Sequence, residues 1–347
     1  MRLLFLFTVS FGLGLAQGLT SYLHAPVYIN IRMTNGYDSN VLRLSANERS
    51  SAPIEKEVMG SMDTFDSHYV RGELTGRSIY NLSGKKNVTL SGSGAFIRYS
   101  HSPDKKYSSG KFEMKYRWGP YRSVMYSARH LSNFYLRNYI NRDVSNHTSI
   151  ACSFSDRDQK LSVSYPLARR MWVAFTGGYL QRYYNGAFAE FNSDIVYRRG
   201  RFSWKTPWNF TLGVEGEVGK ADNITFGTTA RSSDLDRSYN YTQLYLPIKS
   251  SVRLWIFDEI GCAYRQENRM YIAESLDDPL HSGRAHTDGK LDVWVKKDFT
   301  DSFSAKIMLR KRERITQSEY NWVEGLKSFS QLQVWMEIGW RTMYDRY

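Results

Sequence analysis

Cations recur at alternate positions in three successive segments late in the chain. Arg265 and Arg269 stand on the polar face of one. Lys290 and Lys296 stand on that of the next, and Lys306, Arg310, Arg312 and Arg314 on that of the third. Side chains two apart share one face of an extended strand. Lys111, Lys115 and Arg117 repeat the pattern much earlier, with Glu113 among them. If the late segments are neighbouring strands, their cations form a ladder on one wall, and rows of Arg and Lys lining a pore favour anions. Glu267, Asp288, Asp292 and Glu337 share that face. A cross-strand salt network is therefore the competing chemistry.

Other chemistry has thinner support. His286, before Asp288, is the only one of the seven histidines beside a carboxylate on its own face. No Ser is placed by a motif to make a nucleophile–base pair, so the chain reads as a non-enzyme. No CxxC, HExxH or other metal spacing occurs, so neither a metal nor a cofactor is expected. The acidic stretch Glu274–Asp278 matches no calcium loop and reads as a solvated loop. Six Asn-x-Ser/Thr triplets begin at Asn81, Asn87, Asn146, Asn209, Asn223 and Asn240. At least Asn209 and Asn240 fall within strands, so the triplets read as composition. Arg137, Arg142 and Arg231 lie near loops, placed to meet lipid phosphates or simply solvent. Cys152 and Cys262 lie on apolar faces (Ile150/Cys152/Phe154 and Ile260/Cys262/Tyr264) of distant strands and read as unpaired, lipid-facing thiols.

The elements that position these groups are strands. Val27, Ile29, Ile31 and Met33 alternate with Tyr28, Asn30, Arg32 and Thr34, and Phe112, Met114, Tyr116 and Trp118 with Lys111, Glu113, Lys115 and Arg117. Trp208 to Val218, Thr287 to Lys296 and Phe303 to Arg310 alternate as cleanly. A parity change between Phe154 and Leu161 predicts a bulge or a break around Asp156–Gln159. Asn185-Gly186 reads as a tight turn, and Arg198–Lys205 as a basic turn. Asp38 to Met62 is a long polar connection. Short and long connections take turns, and about fourteen strands result, within about twelve to sixteen.

The segment LKSFSQLQVWMEIGW, Leu326 to Trp340, decides what the strands face. Leu332, Val334, Met336, Ile338 and Trp340 form an apolar row, while Gln331, Gln333, Trp335, Glu337 and Gly339 form the opposite row. One oily and one mainly polar face places the strand between lipid and a watery lumen. The segment resembles the closing strand of Gram-negative outer-membrane β-barrel, porin-like proteins. It departs in carrying Arg341–Tyr347 beyond the aromatic. The resemblance implies an all-β fold: a closed antiparallel transmembrane barrel, inserted by the barrel-assembly machinery. Sheet edges have no partner in lipid, so such strands must close on themselves. The outer-membrane phospholipases, barrels with a Ser–His pair, have no matching motif here.

Bulk properties agree. Aromatics are 15%, with 25 Tyr and 9 Trp, the excess expected of two interfacial girdles. No apolar run of about 18 residues follows the N-terminus, which excludes helical spans. Arg2, the apolar Leu3–Leu15 and the small residues to Ala16 read as a secretory signal cut after Ala16, leaving 17–347 as the barrel. The net charge of +13 falls by one, to +12, when Arg2 leaves. That charge points to lipopolysaccharide phosphates and small anionic solutes as partners, with nucleic acid discounted for an exported barrel. The expected function is a passive channel for small anionic solutes. The alternative is a structural or adhesive barrel with a closed lumen and partner-binding loops. An export barrel is less expected, because the first strand follows the signal almost directly.

Overall fold

The computed structural model describes residues 25–52, 56–82, 84–140, 148–228, 235–250, 256–274 and 278–344. The expected signal (1–16), Arg142 and Arg231 lie outside the described residues. Fourteen strands close into one antiparallel barrel in which each strand pairs with its neighbours in sequence. They are β1 (Val27–Asp38), β2 (Ser67–Asn81), β3 (Asn87–Tyr99), β4 (Lys106–Gly119), β5 (Arg122–Ile140), β6 (Ser149–Ala168) and β7 (Met171–Tyr184). The ring continues through β8 (Ser193–Lys205), β9 (Phe210–Asn223), β10 (Tyr239–Ser250), β11 (Glu259–Tyr271), β12 (Ala285–Asp298), β13 (Phe303–Gln317) and β14 (Phe329–Tyr344). The ring closes where Val27 pairs with Tyr344 and Asp38 with Gln333. No backbone edge is left for lipid to solvate, as a spanning sheet requires.

Alternation sorts the side chains as the sequence predicts. Leu332, Val334, Met336, Ile338 and Trp340 are all exposed on the outer wall, as are Phe112, Met114, Leu161, Val163 and Phe175. Large aromatics facing inward need room. A Cβ on Gly178, Gly219 or Gly261 would lie 2.1–2.4 Å from the rings of Tyr197, Tyr241 and Trp294. These glycines let each ring lie flat across the neighbouring strand.

The chain reverses tightly at one end of the barrel. Gly119 pairs with Arg122, and Tyr121 takes a positive φ of 58° there. Its ring stacks on Trp172 at 4.4 Å, which helps hold the left-handed conformation. At the other end the connections are long and fold inward. Helix α1 (Ala46–Ser51) opens on a capping box made by Ser45 and Glu48, and helix α2 (Asn321–Lys327) touches it. Around them Val41, Leu42, Leu44, Ala52, Met59 and Met62 pack against Ile97, Tyr99 and Tyr135 of the wall. This is a small hydrophobic core set in the barrel's mouth, a cap.

The cap explains several departures from the sequence reading. The β6 parity never breaks: Cys152, Phe154, Asp156 and Asp158 are all buried inward, while Leu161 and Val163 face out. The register shifts instead lie between Leu131 and Phe134 and between Tyr135 and Arg137, on β5. Cys152 is therefore not lipid-facing. It is 2% exposed among inward apolar groups, and only Cys262, also a free thiol, stands on the outer row. An apolar row at this end signals the cap, not hydrocarbon. Asn185-Gly186 makes no tight turn, because Gly186–Phe191 forms a 3-10 segment that reaches Tyr139 through Phe188. Arg198–Lys205 is not a turn but the lower part of β8.

Candidate functional site: the charged lumen

Strands β11, β12 and β13 are consecutive, so the ladder assembles. Arg265 pairs with Lys290 and Lys290 with Arg312; Arg269 pairs with His286, Asp292 with Arg310, and Lys296 with Lys306. All of these side chains occupy the inward row. Lys115 and Arg117 are inward as well, on β4, which lies seven strands from β11 either way round the ring. They belong to the opposite wall.

Carboxylates thread through the ladder. Asp288, 3% exposed, accepts from Arg312 Nε and Nη2 at 2.8 and 2.6 Å and from Arg314 Nη2 at 2.8 Å. Asp292 takes the fork of Arg310 at 2.6 and 2.9 Å. Glu267 accepts from Arg269 at 2.7 Å, and Lys296 lies 2.8 Å from Asp298. Forked Arg–carboxylate contacts are among the stronger polar interactions available. The network and the ladder are therefore the same object, and much of its charge is neutralised in place.

The remainder is not. Among the described residues, no carboxylate lies within 4.0 Å of the charged nitrogens of Arg265, Lys306, Lys115 or Arg117. Arg265 sits over the Tyr245 ring at 4.8 Å and Lys306 over Trp294 at 4.8 Å. Such contacts hold a cation in place without cancelling its charge.

Further charged groups escaped the sequence reading, Arg199 because its segment read as a turn. Arg199 Nε donates to Glu217 at 2.6 Å and lies 3.4 Å from Glu215, while Arg182 forks onto Asp156 at 2.8 and 2.9 Å. Tyr197 and Tyr241 donate to Asp158 and Glu217, both at 2.8 Å. The signal was present: Ile195, Tyr197, Arg199 and Arg201 keep one parity, and Glu215 and Glu217 face them on the next strand.

Among the described residues His286 has no catalytic partner. It is 4% exposed with Nε2 unbonded, and the oxygens of neighbouring Asp288 are taken by two arginines. Asp278 of the acidic stretch is not solvated. It is 1% exposed, paired with Arg237 and held 2.9 Å from His281 Nδ1. Arg137 does not face lipid phosphates either; it pairs with Glu48 of α1.

The cap is pinned from both sides. Asn40, fully buried, donates to Leu44 and Ser330 carbonyls at 2.8 and 3.0 Å, and Gln331 donates to Asp38 at 2.8 Å. Lys105 donates to the Val41 carbonyl at 2.6 Å. Burial pulls its ammonium down to about 7, and Lys327 of α2 likewise. Burial also lowers His281 to about 3.

No protein-family model matches the chain, and neither does any curated protein. Solved barrels resemble it. An anion-selective porin from Comamonas acidovorans is 8% identical with a TM-score of 0.43, the match covering 92% of this chain and 99% of that one. OprD of Pseudomonas aeruginosa gives 8%, 0.41, 91% and 95%. A loop-deleted OmpT, an outer membrane protein of Vibrio cholerae, gives 7%, 0.46, 92% and 100%. At such values the likeness is one of barrel architecture alone, and function has to be argued from this chain's own side chains. The closed fourteen-strand sheet, its oily outer wall and its charged interior make the chain an antiparallel β-barrel built to span a membrane.

Proposed function

We propose that the protein is a passive channel for small anionic solutes in the outer membrane of a Gram-negative bacterium, exported on its N-terminal signal and acting without chemistry on its cargo. The observation that carries this reading is the presence of inward cations with no acid partner among the described residues, including Arg265 and Lys306 on one wall and Lys115 and Arg117 on the other. Paired groups such as Arg312–Asp288 shape the wall, and the unpaired ones set its sign. The reading includes lipopolysaccharide and lipid around the barrel and the assembly machinery as its insertase. Purified protein in a planar bilayer tests it. Anion-selective conductance is expected, weakened when Arg265 and Lys306 become Gln. No current, or cation selectivity, sinks it.

A second reading has one specific observation in its favour: the cap core around Val41, Leu44 and Tyr135 fills the mouth. On that reading the lumen is closed and the long connections bind a partner. The two separate on the intact protein: a channel carries current in a bilayer, whereas a closed binding barrel carries none until 42–64 are deleted and then loses its partner.

A further inference from the structure

Directly beneath the cap, on the wall formed by β2 to β5, lies a recess of about 370 Å³. It faces the ladder of β11–β13 across the lumen and shares none of its residues. Its volume falls in the range of small-molecule sites.

The recess has two chemistries. Its roof is apolar: Ile97 belongs to the cap core, and Leu131 and Phe134 extend it, with Phe134 packed 4.8 Å from the Tyr107 ring. Its wall is net basic, with Arg71, Lys111 and Arg129 against the single carboxylate of Glu73. Two of these are occupied. Arg71 pairs with Glu73, and Lys111 lies 2.7 Å from Glu113. Arg129 is different. Its register neighbours are Lys111 and Asp158, and Asp158 already accepts from Tyr197 at 2.8 Å. Among the described residues Arg129 has no carboxylate within 4.0 Å, and its side chain is exposed to the recess. A free planar fork beside an aromatic and aliphatic roof is complementary to a carboxylate carried on an apolar body.

We propose that this recess is a binding seat for small monocarboxylates with an aromatic or branched apolar body, with Arg129 as the carboxylate-binding group. The inference rests on the channel reading, because a seat inside the lumen serves a solute in transit. A purely inorganic anion gains nothing from the roof, and an apolar cation is repelled by the wall.

The test is titration calorimetry on the full-length barrel in detergent micelles, with benzoate, acetate and benzylamine as probes. Saturable binding of benzoate is expected, with acetate at least about tenfold weaker and benzylamine silent. Arg129→Gln should weaken benzoate at least about tenfold, and Arg129→Lys, which keeps charge without the fork, should fall between. Lys311→Gln, on the outer row, should change nothing. The proposal is overturned if acetate binds as well as benzoate, if benzylamine binds, if benzoate does not bind, or if Arg129→Gln retains it. A gel-mobility shift on heating confirms that each variant is folded. Bilayer current is recorded separately. A barrel that binds benzoate without conducting loses the channel reading and keeps the seat; one that conducts without binding does the reverse.

Discussion

Two stretches of β6 share one inward row and differ completely in chemistry. Cys152 and Phe154, toward the long-loop end, are 2% and 8% exposed among apolar groups; Asp156, Asp158 and Lys160, one turn of the pleat lower, are charged. The backbone is the same, and so is the side of the sheet. What changes is the neighbour: the folded loops of the cap above, a charged wall below. The same contrast runs round the ring, from the apolar set Ile195, Ala221 and Tyr239 near the mouth to Arg199, Glu215 and Glu217 beneath it. Period two fixes which side a residue faces, and composition reports only whether that side is wet.

The contrast breaks hardest at its charged half. Asp288 serves two arginines while 3% exposed. Asp288→Asn leaves both guanidinium groups short of a counter-charge and should destabilise the barrel by about 3–5 kcal/mol, the usual cost of breaking a buried pair. Thermal unfolding in micelles reads it. A loss under about 1 kcal/mol would show that lumen water solvates these groups as well as the carboxylate does. The same variant should raise anion selectivity.

Breaking the apolar half should act on flow and spare the wall. Replacing 42–64 with a short Gly/Ser linker removes Leu42, Leu44, Met59 and Met62 from the mouth and should raise single-channel conductance roughly several-fold. The melting temperature should change little, because the wall's ladder of strand pairs does not pass through the loop. An unchanged conductance would mean that the narrowest section lies at the charged level.

A third test separates ring packing from charge. Gly178→Ala puts a Cβ where the Tyr197 ring lies, 2.1 Å away, and Tyr197 would have to leave Asp158. Overpacking of this kind costs about 1–3 kcal/mol. Gly177→Ala, with nothing within 4 Å, is the outward control and should be close to neutral.

The legibility of the molecule follows the same division. Strand number, closure and the inward ladder could be read because hydrocarbon imposes strict alternation, as in Leu332 to Trp340. The cap could not. Its residues Val41, Leu42 and Leu44 have no period, being held by single contacts such as Asn40 to Ser330 across 290 positions of sequence. For the same reason Cys152 reads from sequence as lipid-facing, and Arg137 as meeting solvent or lipid phosphate. The partition of the ladder into paired and unpaired cations was also hidden, since it depends on the register by which Asp292 meets Arg310 and Lys296 meets Lys306.

The smallest effect sharpens the contrast by using pH on the cap alone. In the closed cap burial lowers Lys105 and Lys327 to about 7 from the ordinary 10.5, and His281 to about 3 from 6.5. An open cap returns these groups to water. Between pH 7 and 10.5 the open form then holds more protons on the lysines than the closed form, and between 3 and 6.5 more on the histidine. In both windows raising the pH favours closure and lowering it favours opening. The acids act in the same direction. Glu48 is held below its usual range: burial works against this, but its contacts with Arg137 and Ser45 outweigh it. Asp278 is likewise lowered against burial, by His281 and Arg237. Their contribution to closure is present at neutral pH and lost as they protonate in acid. Conductance should therefore rise steadily as pH falls from about 9 to about 5, by roughly a few-fold after screening at the mouth. Lys105→Met combined with Lys327→Met removes the upper window and leaves the histidine's, so the double variant's profile should flatten above pH 7 only. A profile that rises toward alkaline pH would place the titrating groups in the ladder and not in the cap.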